Sequence, residues 1–235
     1  MAVGRKIMSI YAISDWHLSG QNPKPMDIFG GAWENYVEIL TDNLAKALTP
    51  DDILLISGDI SWAMRLENAQ PDLNFIANLP GHKVILRGNH DYWWQSISAV
   101  RRALGQGVYA LQNDSVKIGD TVIAGSRGWL EPDGTEENDK IYAREVLRIK
   151  MSLDDADKKR APKDRLVVMT HYPPFGAKLS TPVTELIAAY HPDAVVYGHI
   201  HGKYYKKDVK TVIGGIPYYL TSCDILENVP LKIGF

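Results

Sequence analysis

Short apolar runs rich in β-branched residues are the sequence feature that most limits the fold of this chain. Eight such runs recur, and each ends in glycine or polar residues. They are Ile7–Ser14, Ile53–Ser57, Lys83–Arg87, Thr121–Gly125, Leu166–Thr170, Ala194–Tyr197, Thr211–Ile213 and Tyr218–Thr221. Because these runs do not alternate strictly between apolar and polar residues, they predict strands that are buried on both faces.

Helical patterns separate several of these predicted strands. Apolar residues that recur every three to four positions place one face of a helix toward a core. Three segments have this spacing: 33–48, 97–104 and 142–153. Thr181 followed by Pro182 has the form of a helix N-cap with proline at the first helical position. Strands and helices alternate at first and strands dominate later, which predicts an α/β domain whose sheets are covered by helices.

Composition narrows the class of protein. The chain has 235 residues, 45% of them hydrophobic, with 26 Lys+Arg against 28 Asp+Glu and a net charge of −2. This length predicts a single domain spanning residues 1–235. The slight negative charge argues against a strongly basic nucleic-acid binder.

The cysteine count and the length of the apolar runs indicate the compartment and whether the chain enters a membrane. Cys223 is the one cysteine, so neither an intramolecular disulfide nor a thiolate zinc cluster can form. No apolar stretch approaches the ~20 residues of a membrane helix. Asp15, Trp16 and His17 stand where a signal peptide would need small residues for cleavage. We therefore expect a cytoplasmic protein without a membrane partner.

Five of the seven histidines lie at or just after the ends of predicted strands. The fragments concerned are Asp15-Trp16-His17, Gly58-Asp59, Gly88-Asn89-His90-Asp91, His171 and Gly198-His199-Ile200-His201. A fragment such as D-x-H is expected by chance in a chain of this composition, but the five together are not. Because ligands of α/β proteins bind beyond the carboxyl ends of the strands, these remote fragments are expected to converge on one site.

The side chains of this set offer carboxylate, amide and imidazole donors and no thiolate. They are Asp15, His17, Asp59, Asn89, His171, His199 and His201. Seven donors exceed what one tetrahedral zinc can use, and they suit two divalent ions that share a carboxylate. Mixed nitrogen and oxygen donors favour Mn, Fe, Zn, Co or Ni over Mg or Ca.

The five fragments, in this order, resemble the motifs of the calcineurin-like metallophosphoesterases. The resemblance runs from Asp15 to His201, and no ligand position is missing. It implies an α/β fold, a four-layer αββα sandwich of two mixed β-sheets flanked by helices. It also implies two bound divalent metal ions, with Mn, Fe or Zn preferred.

The same resemblance implies a role for each residue of the set. Asp15, His17, Asp59 and His201 would hold the first ion. Asp59, Asn89, His171 and His199 would hold the second, with Asp59 as the bridge. His90 would bind no metal and would act as the catalytic residue, facing the phosphate and stabilising the transition state or protonating the leaving oxygen.

One departure separates the chain from the protein Ser/Thr phosphatases of that superfamily. Their second block continues with an acid and a phosphate-binding arginine, whereas Ile60-Ser61-Trp62-Ala63-Met64-Arg65 follows Asp59 here. The acid that would orient His90 is absent from that position, and Arg65 stands at a different spacing. Protein phosphatase activity is therefore disfavoured.

Candidate substrate contacts come from side chains near the predicted ligand loops. Arg65 and Arg127 offer guanidinium groups to a phosphate. Trp62 offers a ring on which a base could stack, the alternative being that it caps the core. The segments 20–31 and 126–138, rich in Gly, Pro and polar residues, are the candidate specificity loops.

The favoured hypothesis is a dinuclear metal-dependent phosphoesterase that cleaves a phosphomonoester or phosphodiester through in-line attack of a metal-bridging hydroxide. Its expected partner is a small phosphoester, with nucleotide-like molecules among the candidates. Two alternatives stay open: a metallo-nuclease on the same scaffold, and a non-catalytic metal-binding scaffold for interactions. The absence of a basic extension counts against the first, and the complete ligand set counts against the second.

Overall fold

A computed structural model describes residues 8–20, 24, 26–202 and 208–235 of the chain. Within this described part, eleven strands form two mixed β-sheets. The strands are β1 Ile10–Ala12, β2 Ile53–Ile56, β3 His82–Leu86, β4 Val108–Leu111, β5 Asp114–Ile118, β6 Thr121–Ser126, β7 Arg165–Thr170, β8 Ala194–Tyr197, β9 Lys210–Ile213, β10 Ile216–Leu220 and β11 Leu231–Lys232.

Both sheets have a parallel centre with antiparallel strands at the edges. The first sheet has the order β11-β1-β2-β3-β4, in which only β11 runs antiparallel to its neighbour. The second has the order β5-β6-β7-β8-β10-β9, with β5 and β9 antiparallel to theirs. The carboxyl ends of the parallel strands therefore lie along one edge of each sheet.

Five α-helices of the described chain cover the sheets. They are α1 Tyr36–Ala47, α2 Leu66–Asn78, α3 Ile97–Ala103, α4 Glu136–Lys159 and α5 Pro182–Ala188. Two short 3₁₀ turns, Asp27–Phe29 and Gly31–Trp33, precede α1. As the sequence predicts, Thr181 caps α5: its hydroxyl accepts from the backbone N–H of Thr184 at 3.1 Å.

Three apolar clusters show that the protein has four layers. Along β2, Leu54 and Ile56 pack in a cluster with residues of α1, α2 and α3. The alternate residues Ile53 and Leu55 pack against the second sheet. The other face of the second sheet packs against α4 and α5. Because β2 is buried on both faces, its sequence is continuously apolar, and the predicted αββα sandwich of two mixed sheets is confirmed.

Several elements differ from the sequence-based expectation. The helix α2 was not predicted, because its sequence contains Pro71 and its apolar face is short. The short strand β4 and the half-polar hairpin strand β5 were also missed. Strand β1 is shorter than predicted, and Ile7, at the start of that prediction, lies outside the described residues. Short edge elements depend on tertiary pairing more than on local pattern.

None of the described helices combines the length and the apolar character needed to cross a lipid bilayer.

Candidate metal centre

The predicted site residues follow strands of both sheets at one edge of the sandwich. Asp15, Asp59 and Asn89 follow β1, β2 and β3, whereas the histidines 171, 199 and 201 follow β7 and β8. Ser14 links the two sheets here: its hydroxyl accepts from the Ser57 N–H at 2.7 Å and lies 2.9 Å from the Thr221 hydroxyl. This joint brings fragments that are remote in sequence into one site.

The first predicted ligand set is compact. One donor atom from each of Asp15, His17, Asp59 and His201 lies within 4.8 Å of the others. His17 Nε2 lies 3.8 Å from Asp59 Oδ2 and 3.5 Å from His201 Nε2. His201 Nε2 in turn lies 3.6 Å from Asp15 Oδ1. Donors that share one ion at about 2.1 Å stand at roughly such separations.

The second predicted set lies directly beside the first. Asn89 Oδ1 is 2.6 Å from His171 Nε2 and 2.8 Å from His199 Nδ1. Asp59 Oδ1 is 3.6 Å from His171 Nε2. Asp59 thus turns Oδ2 toward the first set and Oδ1 toward the second, so that one carboxylate lies next to both sets.

Charge balance shows that the set fits bound cations. Asp15 and Asp59 are 0% and 1% exposed. Within the described residues their ion-pair contacts are all with histidines and none with lysine or arginine. Buried carboxylates need compensating positive charge, and divalent ions held by these donors would supply it.

The backbone of the ligand loops is strained. Asp15, His17, Asp59 and His199 have φ angles of 61°, 46°, 49° and 72°, in the left-handed region. Each such residue costs about 1–3 kcal/mol and persists only where the surroundings enforce it. The enforcing contacts include the bonds from Asp15 N–H to the Gly58 carbonyl at 3.0 Å and from His17 N–H to the Asp59 carbonyl at 2.9 Å. Four of the nine described non-glycine residues with positive φ are thus candidate ligands, and such residues are frequent at functional sites.

Two glycines allow the carboxylates to approach the backbone. A Cβ atom added to Gly88 would overlap Asp59 Oδ1, and one added to Gly198 would overlap Asp15 Oδ2. Any side chain at these positions would therefore displace a candidate ligand.

We expect Gly88→Ala to reduce the metal content of the purified protein, because the new methyl group must push the Asp59 carboxylate away. Overpacking of this kind also costs about 1–3 kcal/mol of folding stability. Metal per chain, measured by mass spectrometry, and the melting temperature test this. Gly234→Ala is the matched control, since an added Cβ there meets only the Tyr219 hydroxyl at 3.8 Å. Full metal content in Gly88→Ala would contradict the assignment of Asp59.

Burial and neighbouring charges set the protonation states of the metal-free site. Burial lowers the pKa of His17 to about 3 and that of His171 to about 4, so both are neutral at pH 7. Burial also raises the pKa of Asp59 to about 8, with help from the charges of Asp91 and Asp15. Burial opposes protonation of His201, but hydrogen bonds to Asp15 and Asp224 raise its pKa to about 10.

Metal binding is therefore expected to release protons. The pKa values of Asp59 and His201 are both raised, and a ligand must lose its proton to coordinate, so metal binding should release protons from these two groups. Apparent metal affinity should then rise with pH up to the pKa values of these two groups. Titration calorimetry in buffers of different ionisation enthalpy measures the release. A binding enthalpy independent of the buffer would contradict these protonation states.

Asp224 is a residue of the site that sequence reasoning missed. Its Oδ1 accepts from His201 Nδ1 at 2.7 Å, and its Oδ2 accepts from the Gly202 N–H at 2.9 Å. This contact leaves His201 Nε2 facing the first set and orients the ring. A signal existed, because Asp224 follows the predicted strand Tyr218–Thr221 as the other fragments follow theirs.

Asp91 belongs to a predicted fragment but had no assigned role. It is fully buried and accepts from the Gly88 N–H at 2.7 Å, the Ile60 N–H at 2.8 Å and the Trp93 indole at 2.9 Å. It thereby joins the loop after β2 to the loop after β3. The relative position of Asp59 and Asn89 depends on this link.

The predicted catalytic residue, His90, lies beside the two sets. Its backbone N–H donates to Asp59 Oδ1 at 2.8 Å. Its ring centroid lies 5.5 Å from that of His17 and 4.8 Å from that of Trp62. Among the described residues, no hydrogen bond or ion pair joins its ring to an acid, and the ring packs against Trp62.

The predicted substrate contacts are placed differently from one another. Trp62 stacks on His17, with ring centroids 4.7 Å apart. Arg127 lies over Trp129 at 4.9 Å and lines a separate cavity of about 110 Å³. Arg65 is exposed and pairs with Glu67 at 3.9 Å. The structure therefore places Trp62 beside the first set of candidate ligands, Arg127 at a separate cavity and Arg65 on the surface.

The candidate specificity loops and the cysteine are also located. The segment 20–31 contains the 3₁₀ turn Asp27–Phe29, while its positions 21–23 and 25 lie outside the described residues. The segment 126–138 connects β6 to α4. Cys223 is fully buried, and its Sγ lies 3.1 Å from the Asp15 carbonyl oxygen.

Comparison with known families identifies the family of the chain. The family model for calcineurin-like phosphoesterases matches residues 8–203. The chain therefore belongs to the calcineurin-like phosphoesterase family, as the motifs predicted. No curated protein sequence matches it significantly.

Solved structures from two organisms are similar to this chain. A Thermus thermophilus protein aligns over 97% of this chain and 99% of its own, with a TM-score of 0.54 and 13% identity. A protein of unknown function from Aquifex aeolicus aligns over 96% of each chain, with a TM-score of 0.49 and 20% identity. At 13% identity the Thermus likeness shows the fold alone.

Proposed function

We propose that this protein hydrolyses a small phosphoester at a dinuclear metal centre. The observation that carries the proposal is the position of Asp59, whose two carboxylate oxygens face two adjacent groups of donors. A carboxylate between two dications reduces their mutual repulsion and so favours a pair of ions. Asp15, His17 and His201 would complete one side, and Asn89, His171 and His199 the other.

The residues around Asp59 support this chemistry. Bound divalent ions supply charge neutralisation at phosphorus and lower the pKa of bound water. The His90 N–H holds Asp59 Oδ1, and the Asp224 carboxylate orients His201. The side chain of His90 stays outside both sets, which leaves it available to donate a hydrogen bond to the developing negative charge or a proton to the leaving oxygen.

Metal identity and compartment belong to the same proposal. Imidazole and carboxylate donors without thiolate favour Mn, Fe or Zn. A lone buried cysteine is compatible with a reducing compartment, and we infer a cytoplasmic enzyme that acts on a small molecule.

A substrate panel tests the proposed function directly. Purified protein is analysed for bound metal and then assayed with p-nitrophenyl phosphate and bis(p-nitrophenyl) phosphate in the presence of Mn²⁺. We expect activity on at least one ester and its loss with a chelator. Metal-loaded protein that cleaves neither ester would contradict the proposal.

A further inference from the structure

A cavity of about 560 Å³ opens beside the first donor set. His17, His90 and His201 form its wall on the side of the candidate metal centre. Much of the remaining lining is apolar or glycine: Met26, Phe29, Gly30, Gly31, Ala32, Trp33 and Trp62. The cavity is therefore continuous with the predicted reaction site and differs from it in chemistry.

Aromatic rings connect the cavity to the predicted catalytic residue. The ring of Trp62 lies 4.8 Å from that of His90 and 4.7 Å from that of His17. On the other side, Trp33 lies 5.7 Å from His201. A group attached to a phosphate at the donor sets would thus meet ring faces and edges as it leaves the metal centre.

The rim of the cavity carries an aromatic side chain that is largely exposed. Phe29, in the 3₁₀ turn Asp27–Phe29, is 64% exposed, and no residue of that turn is buried. The ammonium group of Lys24 lies 4.1 Å from the centre of the Trp62 ring. Trp62 therefore has a stacked imidazole and a cation against its ring, and Phe29 offers the open ring face on which another ring can stack.

The acidic side chain in the lining of the cavity is already engaged elsewhere. Asp224, which also lines it, accepts from His201 and from the Gly202 N–H. Stacking and apolar burial are therefore the interactions that the rest of the lining offers. Pockets of this volume, with an apolar lining and a few polar groups at one end, are typical of small-molecule sites.

We propose that this cavity binds a planar aromatic group on the leaving-alcohol side of the phosphoester, stacked on Phe29 and bordered by Trp62. The inference rests on the proposed function, because the donor sets must hold the phosphate. His90 supplies the orientation: the residue placed to protonate the leaving oxygen lies in the cavity wall. The substrate class is thus an aryl, arylalkyl or nucleobase-bearing phosphoester.

Phosphonates that cannot be hydrolysed test the inference through binding alone. Methylphosphonate, cyclohexylphosphonate and phenylphosphonate offer the same anionic group to the donor sets and differ only in the attached group. Titration calorimetry with the Mn²⁺-loaded protein measures each affinity. Apolar burial favours both cyclic groups over methyl, and an aromatic pair adds to the affinity of phenyl alone. We therefore expect phenylphosphonate to bind about tenfold more tightly than methylphosphonate and about threefold more tightly than cyclohexylphosphonate.

Two neighbouring variants locate the effect. Phe29→Ala should reduce the preference for phenylphosphonate over methylphosphonate while leaving the affinity for methylphosphonate unchanged. Ile28→Ala is the matched control, because Ile28 lies in the same turn, is 73% exposed and does not line the cavity. This control should keep the wild-type preference.

The outcomes separate the inference from the proposed function. Equal affinities for all three phosphonates, or an undiminished preference in Phe29→Ala, would overturn the aromatic site and leave the metal centre standing. Equal affinities for the cyclohexyl and phenyl compounds would overturn its aromatic character. Failure of all three to bind would contradict the metal centre itself, and the inference would fall with it.

Discussion

Replacing Asp59 by asparagine should deplete both candidate metal sites at once. One oxygen of the Asp59 carboxylate faces each donor group, so a neutral amide removes a charged donor from both. Mutation of a residue that only orients a metal ligand typically lowers metal affinity or activity about 10–100-fold. We therefore expect Asp59→Asn, which removes a shared ligand, to lower both the metal affinity and the rate of hydrolysis by more than this factor.

The same substitution should have the opposite effect on the metal-free fold. Burial and the charges of Asp91 and Asp15 raise the pKa of Asp59 from 3.8 to about 8. A raised folded-state pKa means that the native state binds the proton more tightly than the unfolded state. The stability that this tighter proton binding contributes is complete below about pH 4 and is lost as the pH rises toward 8. Asparagine cannot ionise and avoids this loss.

Thermal unfolding in chelator and in Mn²⁺ measures both effects. At pH 8, Asp59→Asn should melt at a higher temperature than the wild type in chelator and at a lower temperature with Mn²⁺, where only the wild type gains stability from bound ions. Asp42→Asn, which changes an exposed carboxylate on α1, is the control and should follow the wild type in both. Undiminished occupancy of both ions in Asp59→Asn would remove the bridging assignment.

The second large effect is expected from His90→Ala, which should lose turnover and keep both metals. The ring of His90 belongs to neither donor set. Its contact with Asp59 comes from the backbone N–H, which alanine retains. Loss of a general acid or of an electrostatic stabiliser costs typically about 10²–10⁴-fold in rate.

Steady-state kinetics and metal analysis of the same preparation test this prediction. His82→Ala is the matched control, because His82 begins β3 and lies in none of the predicted fragments. A His90→Ala protein that has lost metal would show that the ring serves the metal centre instead. A variant with wild-type turnover would exclude His90 from catalysis.

Much of the fold could be predicted from the sequence because its central strands are buried on both faces. A segment such as Ile53–Ile56 leaves few alternatives to a central strand, since one set of its side chains packs on helices and the other on the second sheet. The helix α2 could not be predicted from the sequence, because Pro71 and the polar residues of this segment weaken the helical pattern. Tertiary packing of Leu73 and Ile76 into the core stabilises it instead.

The identity of the candidate donors was determined by the sequence alone. Asp15, Asp59 and the histidine fragments follow buried runs, and chain order with strand polarity places such residues at one edge. Only the tertiary structure decided which donors face each other, that Asp59 lies between two groups and that Asp224 holds His201. It also separated Trp62, which lies at the donor sets, from Arg65, which is exposed to solvent. The physical reason is that distances between loops depend on strand order, register and the joint between the two sheets, and local residue patterns do not encode these.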